Sequence, residues 1–252
     1  MSVEQVFVVD RAAFFGGDWP HGFQPIDAPA AFLRRALQLG RFVDRERAER
    51  TPAWKQWIPY CLLRCGDWGP DGDRSERGVF AVQRTNRGGE ARLHESWSVG
   101  LGGHVEPVDE DGRDRPDTAA ATFFERALAR ELSEELLLPS DLTLRPRLLG
   151  LINDDTTSVG EVHAGLAYCV DVPAPASEAK ELFGVREVSK LRGGFAHLAD
   201  LAELWQTPEQ FESWSRFLIE AGLIGDMGQT PSHRETRPEN GTRLDSQRSA
   251  ER

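Results

Sequence analysis

Runs of β-branched and aromatic residues bounded by turn residues predict the strands of this chain. The first run is Gln5–Asp10, and a second, WIPYCLLRC, covers residues 57–65. The runs VFAVQR and ARLHESWSVG flank a glycine-containing turn, and LRPRLLGLIND and EVHAGLAYCVDV are linked by DTTSVG. The pattern therefore predicts a sheet that includes two pairs of consecutive strands.

Two segments instead repeat their apolar residues every three to four positions, which is typical of amphipathic helices. The first covers residues 27–40, and Asp27 is its expected capping residue. The second and longest covers residues 118–138, with Asp117 as the expected cap and Pro139 as the residue that ends it.

A third helix is predicted over residues 207–222, with Thr207 as its cap. Its apolar face consists of Phe211, Trp214, Leu218 and Ala221. This face is expected either to pack on the core or to form the contact of a homodimer, and the sequence leaves both open.

The order of strands, a long helix, strands and a final helix predicts an α/β protein with helices on both faces of a mixed sheet. Residues 1–55 are expected to form an N-terminal extension packed on the core, and residues 56–225 the main domain with its C-terminal helix. Residues 226–252 are polar with almost no aliphatic side chains, which predicts a disordered tail.

The net charge and the cysteine residues indicate which partners and which cellular compartment are expected. A net charge of −11 argues against a nucleic-acid polymer or an anionic membrane as the partner, and an anionic substrate would need local arginines or a metal ion. Cys61, Cys65 and Cys169 are odd in number and lie in apolar runs, which favours reduced, structural thiols. Without a signal-like N-terminus or a long apolar run, a cytoplasmic location is expected.

The long helix carries an unusual set of acids on its apolar side. In a helical projection, Glu131 and Glu135 fall within the arc of the buried residues and Glu134 lies at its margin, whereas Arg126 and Arg130 fall on the expected solvated side. A glutamate-rich helix face is usually solvated. Acids on a half-buried face must instead pair with arginines or bind divalent cations, because unpaired buried charges cost several kcal/mol each. Oxygen ligands three and four positions apart suit Mg²⁺ or Mn²⁺.

These residues, together with the glycine turn GLGGHVEP before the helix, resemble the signature of the Nudix hydrolases, G-x5-E-x7-R-E-U-x-E-E-x-G-U, where U is a bulky aliphatic residue. The match consists of Gly103, Arg130, Glu131, Leu132, Glu134, Glu135 and Leu138. It covers the core at roughly residues 56–172, and it implies a Nudix-type α/β/α sandwich with N- and C-terminal helical additions.

The chain departs from the signature at three points. Between Gly103 and Arg130 lie 26 residues where the signature has 13, so the loop carries an insertion. The position eight before Arg130 is Thr122 rather than glutamate, and Leu137 replaces the glycine near the helix end. An acid of the insertion is expected to replace the missing glutamate, and the candidates are Asp109, Glu110 and Asp111.

The resemblance implies a metal-dependent hydrolase of a phosphoanhydride bond in a nucleoside diphosphate linked to another moiety or in a similar phosphorylated metabolite. Glu131, Glu134 and Glu135 would hold Mg²⁺ or Mn²⁺, and Arg130 would orient the first of these carboxylates. The candidate substrate-binding residues are Gly102, Gly103, His104 and Glu106.

The general base stays open between the helix glutamates and a later carboxylate, for which Glu161, Asp154 and Asp155 are candidates. The ordinary role of all three is surface or turn structure, as hydrogen-bonded core packing is for His104 and His163. The alternative function is a Nudix-fold sensor that binds a nucleotide or metabolite without hydrolysing it. Retention of all three helix glutamates favours catalysis.

Overall fold

The structure is a computed structural model, and it describes residues 3–85, 96–112, 115, 118–140, 142–186, 188–225 and 227. The strands are β1 Gln5–Asp10, β2 Gly22–Pro25, β3 Gly40–Asp44, β4 Trp54–Cys65, β5 Gly78–Arg84, β6 Trp97–Ser98, β7 Leu101–Gly102, β8 Leu136–Leu137, β9 Arg147–Asn153, β10 His163–Val172, β11 Gly184–Val185 and β12 Leu191–His197. The helices are α1 Arg11–Phe15, α2 Pro29–Leu39, α3 Arg45–Ala48, α4 Ala119–Glu135, α5 Ala176–Leu182, α6 Leu198–Leu204 and α7 Ser213–Glu220.

One mixed sheet forms the centre of the molecule, with the strand order β12-β5-β4-β10-β9-β2. β4 and β10 run parallel, and the other neighbouring strands along this order are antiparallel. β1 pairs with β3 and with the first residues of β4, while β6 pairs with β5 and β7 with β4. The β4 run is apolar on almost every position because both of its faces are covered.

Helices pack on both faces of this sheet, which confirms the predicted α/β/α sandwich. On one face, Phe124, Leu128 and Leu132 of α4 join a core with residues of α1, α2 and α5. On the other face, Leu201 of α6 and Leu218 of α7 pack against the sheet. Burial of these apolar side chains supplies the main stabilisation of the fold, at about 25 cal/mol per Å² of apolar surface.

The long helix is shorter than the sequence predicts. It ends at Glu135 rather than near Leu138, because Leu136–Leu137 form β8, which pairs with Gly184–Val185 of β11. Thr118 occupies its N-cap position, and the expected cap Asp117 lies outside the described residues. The three glutamates therefore occupy the last turn and a half of the helix, where the chain turns into a strand.

The other two helices also differ in detail. α2 is present, but its N-cap residue is Ala28 rather than Asp27, and no side-chain capping bond forms. The predicted C-terminal helix is divided into a 3₁₀ turn at Pro208–Gln210 and α7, because Phe211 pairs with Trp97 at the sheet edge. Phe211 and Leu218 are buried within the chain itself, so the dimer contact stays a prediction.

The N-terminal segment contributes strands to the sheet, through β1 beside β4 and β2 beside β9. The division of the chain at residue 55 stays a prediction. At the other end, Met227 is buried, and the rest of the predicted tail lies outside the described residues. Every helix within the described ranges is too short or too polar to cross a bilayer.

The three cysteines are buried and not joined by a disulfide, as the sequence predicts. Cys61 and Cys65 share one side of β4 and belong to the core. Burial raises the pKa of Cys65 to about 11, which keeps its thiol protonated and unreactive near neutral pH. The cytoplasmic location stays a prediction.

Candidate active site

The acidic end of α4 lies at the boundary between core and solvent. The side chain of Glu131 is 14% exposed and that of Glu134 is 57% exposed, and Glu135 is half-buried like Glu131. This order follows the helical projection. Burial raises the pKa of Glu131, although the hydrogen bond and charge of Arg130 act in the opposite direction.

A glycine turn approaches the first of these carboxylates very closely. A Cβ atom on Gly103 would lie 2.2 Å from the carboxylate carbon of Glu131, and one on Gly102 would lie 1.9 Å from the carbonyl oxygen of Pro59. Real Cβ contacts do not reach such distances, so neither position accepts a side chain without movement. The backbone after β7 can therefore lie directly against the α4 carboxylate.

Arg130 ties the glycine turn to the helix. Its Nη1 donates to Oε1 of Glu131 at 2.7 Å, and its Nη2 donates to the carbonyl oxygen of His104 at 2.8 Å. Only 19% of this side chain is exposed, so the expectation that Arg130 lies on the solvated side is wrong. The same holds for Arg126, which is half-buried and donates to the carbonyl oxygen of Asp109 at 2.7 Å.

Asp109 is the acid that completes this network. It is 3% exposed and accepts hydrogen bonds at 3.1 Å from Nε and Nη2 of Arg130. Asp109 is six residues after Gly103, which is the position of the first glutamate in the Nudix signature. The insertion therefore follows this position. Thr122, counted backward, donates its hydroxyl to the Thr118 carbonyl of its own helix and takes no part in the site.

Most of the predicted site residues line one cavity of about 730 Å³. They are Gly102, Gly103, His104, Glu106, Glu131, Glu134 and Glu135. Arg130 acts on this cavity through Glu131 and the glycine turn. Glu161 is not brought to it: the residue is exposed on a 3₁₀ turn, and its carbonyl oxygen accepts a hydrogen bond from Arg11.

The cavity also contains two arginines that the sequence did not single out as ligands. Arg84 and Arg216 both line it. The Nε atoms of both are buried and lack a hydrogen-bond partner among the described residues. A buried N–H without an acceptor is costly, so these side chains are suited to an anionic ligand.

Glu212 is a further carboxylate in the cavity that sequence reasoning missed. Its Oε1 accepts hydrogen bonds from the hydroxyls of Tyr60 and Ser98 at 2.5 Å and of Ser215 at 3.2 Å. Burial and the Glu212 charge raise the pKa of Tyr60 well above its ordinary value. Three hydroxyl donors thus hold this carboxylate in one orientation.

Asp154 and Asp155, the other candidate bases, are engaged in structural contacts. Asp155 binds the buried amine of Lys55 at 2.5 Å and the guanidinium of Arg11 at 2.5 Å. Asp154 is buried and accepts from the hydroxyl of Thr156, so a solvated turn is the wrong description of this residue.

The donor types on α4 suit a hard divalent cation, although Glu131, Glu134 and Glu135 are not among the described side chains whose ligand atoms lie within 4.8 Å of one another. Three carboxylates and the carbonyl groups of the glycine turn offer only oxygen, which is the ligand preferred by Mg²⁺ and Mn²⁺. Arg130 leaves the second oxygen of Glu131 available to such an ion.

The chain resembles known proteins over most of its length. It is 31% identical over 183 residues to Protein YmaB of Bacillus subtilis (strain 168), covering 71% of this chain and 77% of that protein. The crystal structure of Tm1382, a candidate Nudix hydrolase, aligns with a TM-score of 0.62 and 27% identity over 88% of this chain and 98% of that one. A Nudix hydrolase from Alicyclobacillus acidocaldarius aligns with a TM-score of 0.41 and 11% identity over 68% and 92% of the two chains. No family model matches.

Proposed function

Since the chain belongs to the Nudix hydrolases, we propose that it cleaves a phosphoanhydride bond in a nucleoside diphosphate linked to another moiety, or in a similar phosphorylated metabolite. The observation that carries the proposal is a single cavity that combines the α4 carboxylates with two arginines whose buried Nε atoms lack a partner among the described residues. A divalent cation and guanidinium groups together provide the positive charge that a pyrophosphate needs in an acidic protein.

Glu131, Glu134 and Glu135 are the proposed ligands of Mg²⁺ or Mn²⁺. A bound ion of this kind neutralises phosphate charge and makes a coordinated water more acidic. Arg130 keeps the Glu131 carboxylate fixed against Gly103, because the same guanidinium holds Asp109 and the His104 carbonyl. Arg130 is therefore a positioning residue in this account.

Arg84 and Arg216 are the proposed phosphate ligands on the protein side. Bidentate guanidinium–phosphate contacts are strong and directional, and both groups have unused donors in the cavity. Trp214 also lines the cavity and offers an aromatic surface against which a nucleobase can pack.

The proton of the attacking water is assigned to a carboxylate inside the cavity. Glu134 is the most exposed of the helix acids, and Glu135 and Glu212 line the same space. Glu161, the base suggested from the sequence, is exposed outside this lining, so it ranks after the other three.

A substrate panel tests the proposal. Nucleoside diphosphate sugars, dinucleoside polyphosphates and nucleoside triphosphates are incubated with the full chain and Mg²⁺ or Mn²⁺, and released mononucleotide and phosphate are measured. Glu135→Gln is expected to abolish product formation, whereas Glu181→Gln, an exposed glutamate of α5, leaves it unchanged. Equal ligand binding by both proteins with no product from either would establish the sensor function instead.

A further inference from the structure

A second group of potential metal ligands lies beside the α4 carboxylates and is chemically different from them. Glu49 follows α3, His104 belongs to the glycine turn after β7, and His163 begins β10. One ligand atom from each lies within 4.8 Å of the others. Three separate parts of the chain thus bring two imidazoles and one carboxylate to a single point.

The distances within this group fit one bound ion. The two Nε2 atoms of His104 and His163 are 3.2 Å apart, and Oε1 of Glu49 lies 3.8 Å and 3.6 Å from them. Zinc–ligand bonds of about 2.0–2.2 Å at tetrahedral angles place neighbouring ligand atoms roughly 3.3–3.5 Å apart. Shifts of a few tenths of an ångström would bring all three atoms to that spacing.

The Nε2 atom of His163 faces His104 and Glu49, and the hydrogen bond of its Nδ1 atom shows which ring nitrogen is protonated. Its Nδ1 lies 2.7 Å from the carbonyl oxygen of Val159, and a carbonyl can only accept, so Nδ1 carries the proton. In the neutral ring Nε2 is then free to coordinate. A ring nitrogen that donates to a backbone carbonyl is the usual support of a metal-binding histidine.

One cation lies near the Glu49 carboxylate. Arg45 lies 3.9 Å from the Glu49 carboxylate, and its charge is balanced by an ion pair with Glu4.

We propose that Glu49, His104 and His163 bind a transition-metal ion of the Zn²⁺ class, at a site separate from the oxygen-only site on α4. Imidazole nitrogen favours Zn²⁺, Co²⁺, Ni²⁺ and Fe²⁺ over Mg²⁺. His104 and His163 line the cavity, so the remaining coordination positions of the ion are open to water or to an oxygen of the bound ligand. The alternative is an ion-free hydrogen bond in which one Nε2–H donates to the other ring.

Cobalt binding separates these two states. The full chain is stripped with a chelator, returned to excess Mg²⁺ to fill the oxygen site, and titrated with Co²⁺ while the visible absorption spectrum and bound stoichiometry are recorded. The expected result is one equivalent of Co²⁺ with nitrogen-ligand absorption bands, displaced by one equivalent of Zn²⁺.

His163→Gln and Glu49→Gln are each expected to weaken Co²⁺ binding by about 100-fold or more, since each removes one of three ligands. Two variants are controls that should leave the cobalt spectrum unchanged. One is Glu134→Gln, and the other is His197→Gln, which alters a histidine of β12 that contacts the Ser75 carbonyl oxygen. Circular dichroism verifies folding, and the partly exposed Glu49 provides a variant that does not disturb the core.

A cobalt spectrum without nitrogen ligands, no bound cobalt, or equal affinity in wild type and both ligand variants would overturn the proposal. Hydrolysis with Mg²⁺ would remain possible in each of these cases. Failure of the second metal site is therefore distinguishable from failure of the proposed function.

Discussion

The guanidinium of Arg130 donates two hydrogen bonds at 3.1 Å to the carboxylate of Asp109, which lies 21 residues earlier in the chain. The insertion that follows Asp109 separates the two residues in sequence, and the fold brings them back together. Arg130 also donates to Glu131 and to the His104 carbonyl of the glycine turn. The ion pair with Asp109 therefore helps to fix Glu131, the first proposed metal ligand, relative to that turn.

Asp109→Asn tests this ion pair. The substitution keeps the shape of the side chain and removes the charge that Arg130 requires in a largely buried position. We expect the free energy of unfolding to fall by about 1.5–3 kcal/mol, the range for a hydrogen bond to a charged group. Urea denaturation measures the loss, and Glu110→Gln, an exposed neighbour, is the control with no expected change. Equal stability of the two variants would refute the role of Asp109.

Gly103→Ala tests the close approach of the turn to Glu131. The added Cβ meets the end of a flexible side chain, so the protein should fold while the carboxylate moves. Turnover of a substrate found in the panel is expected to fall about 10- to 100-fold, as for disturbed surroundings of metal ligands. Gly112→Ala, where a Cβ meets no atom within 4 Å, should retain full activity. Wild-type turnover in Gly103→Ala would show that the approach has no catalytic meaning.

Sequence reasoning identified the helix, its glutamates and the glycine turn because these follow local periodicity and a contiguous signature. It placed Arg130 on the wrong side, since a helical projection cannot show that Asp109 folds over that face. It also missed Arg216 and Glu212. They reach the cavity only because Phe211 pairs with Trp97 and divides the predicted C-terminal helix, which is a tertiary contact between distant segments.

Arg84→Gln and Arg216→Gln test the phosphate contacts. Each removes a charge-assisted hydrogen bond of about 1.5–3 kcal/mol, so KM for an anionic substrate should rise about 10- to 100-fold. Steady-state kinetics at fixed ionic strength measure the change. Arg192→Gln, whose guanidinium binds the Gln83 side chain on the surface, should leave KM unchanged. If Arg84→Gln and Arg216→Gln both kept the KM of wild type, the two arginines would not be substrate ligands.

The buried amine of Lys55 predicts a pH dependence of stability. Burial lowers the pKa of Lys55 from 10.5 to about 8. The hydrogen bond and charge of Asp155 and the charge of Glu161 oppose this shift, whereas the charge of Arg11 adds to it. Between these two values the unfolded chain holds more protons than the folded protein, so this group makes the free energy of unfolding rise with pH.

Comparison with Lys55→Met isolates this contribution. We compare the free energy of unfolding of wild type with that of the variant. The difference, wild type minus variant, should increase by up to about 3 kcal/mol from pH 8 to 10.5, because one unit of pKa shift corresponds to about 1.36 kcal/mol. Denaturation at several pH values measures the difference, and the exposed Lys180→Met serves as the control. A difference that is constant over this window would contradict the shifted pKa.

Calorimetric titration of Mg²⁺ into the full chain is the most direct test of the central claim, that the α4 carboxylates hold hard divalent ions. Mg²⁺ is chosen because the histidine-containing group does not favour it. The account predicts saturable binding by wild type and by Glu181→Gln, and loss of that binding in Glu131→Gln combined with Glu134→Gln. Absence of Mg²⁺ binding by wild type, or unchanged binding by the double variant, would contradict it.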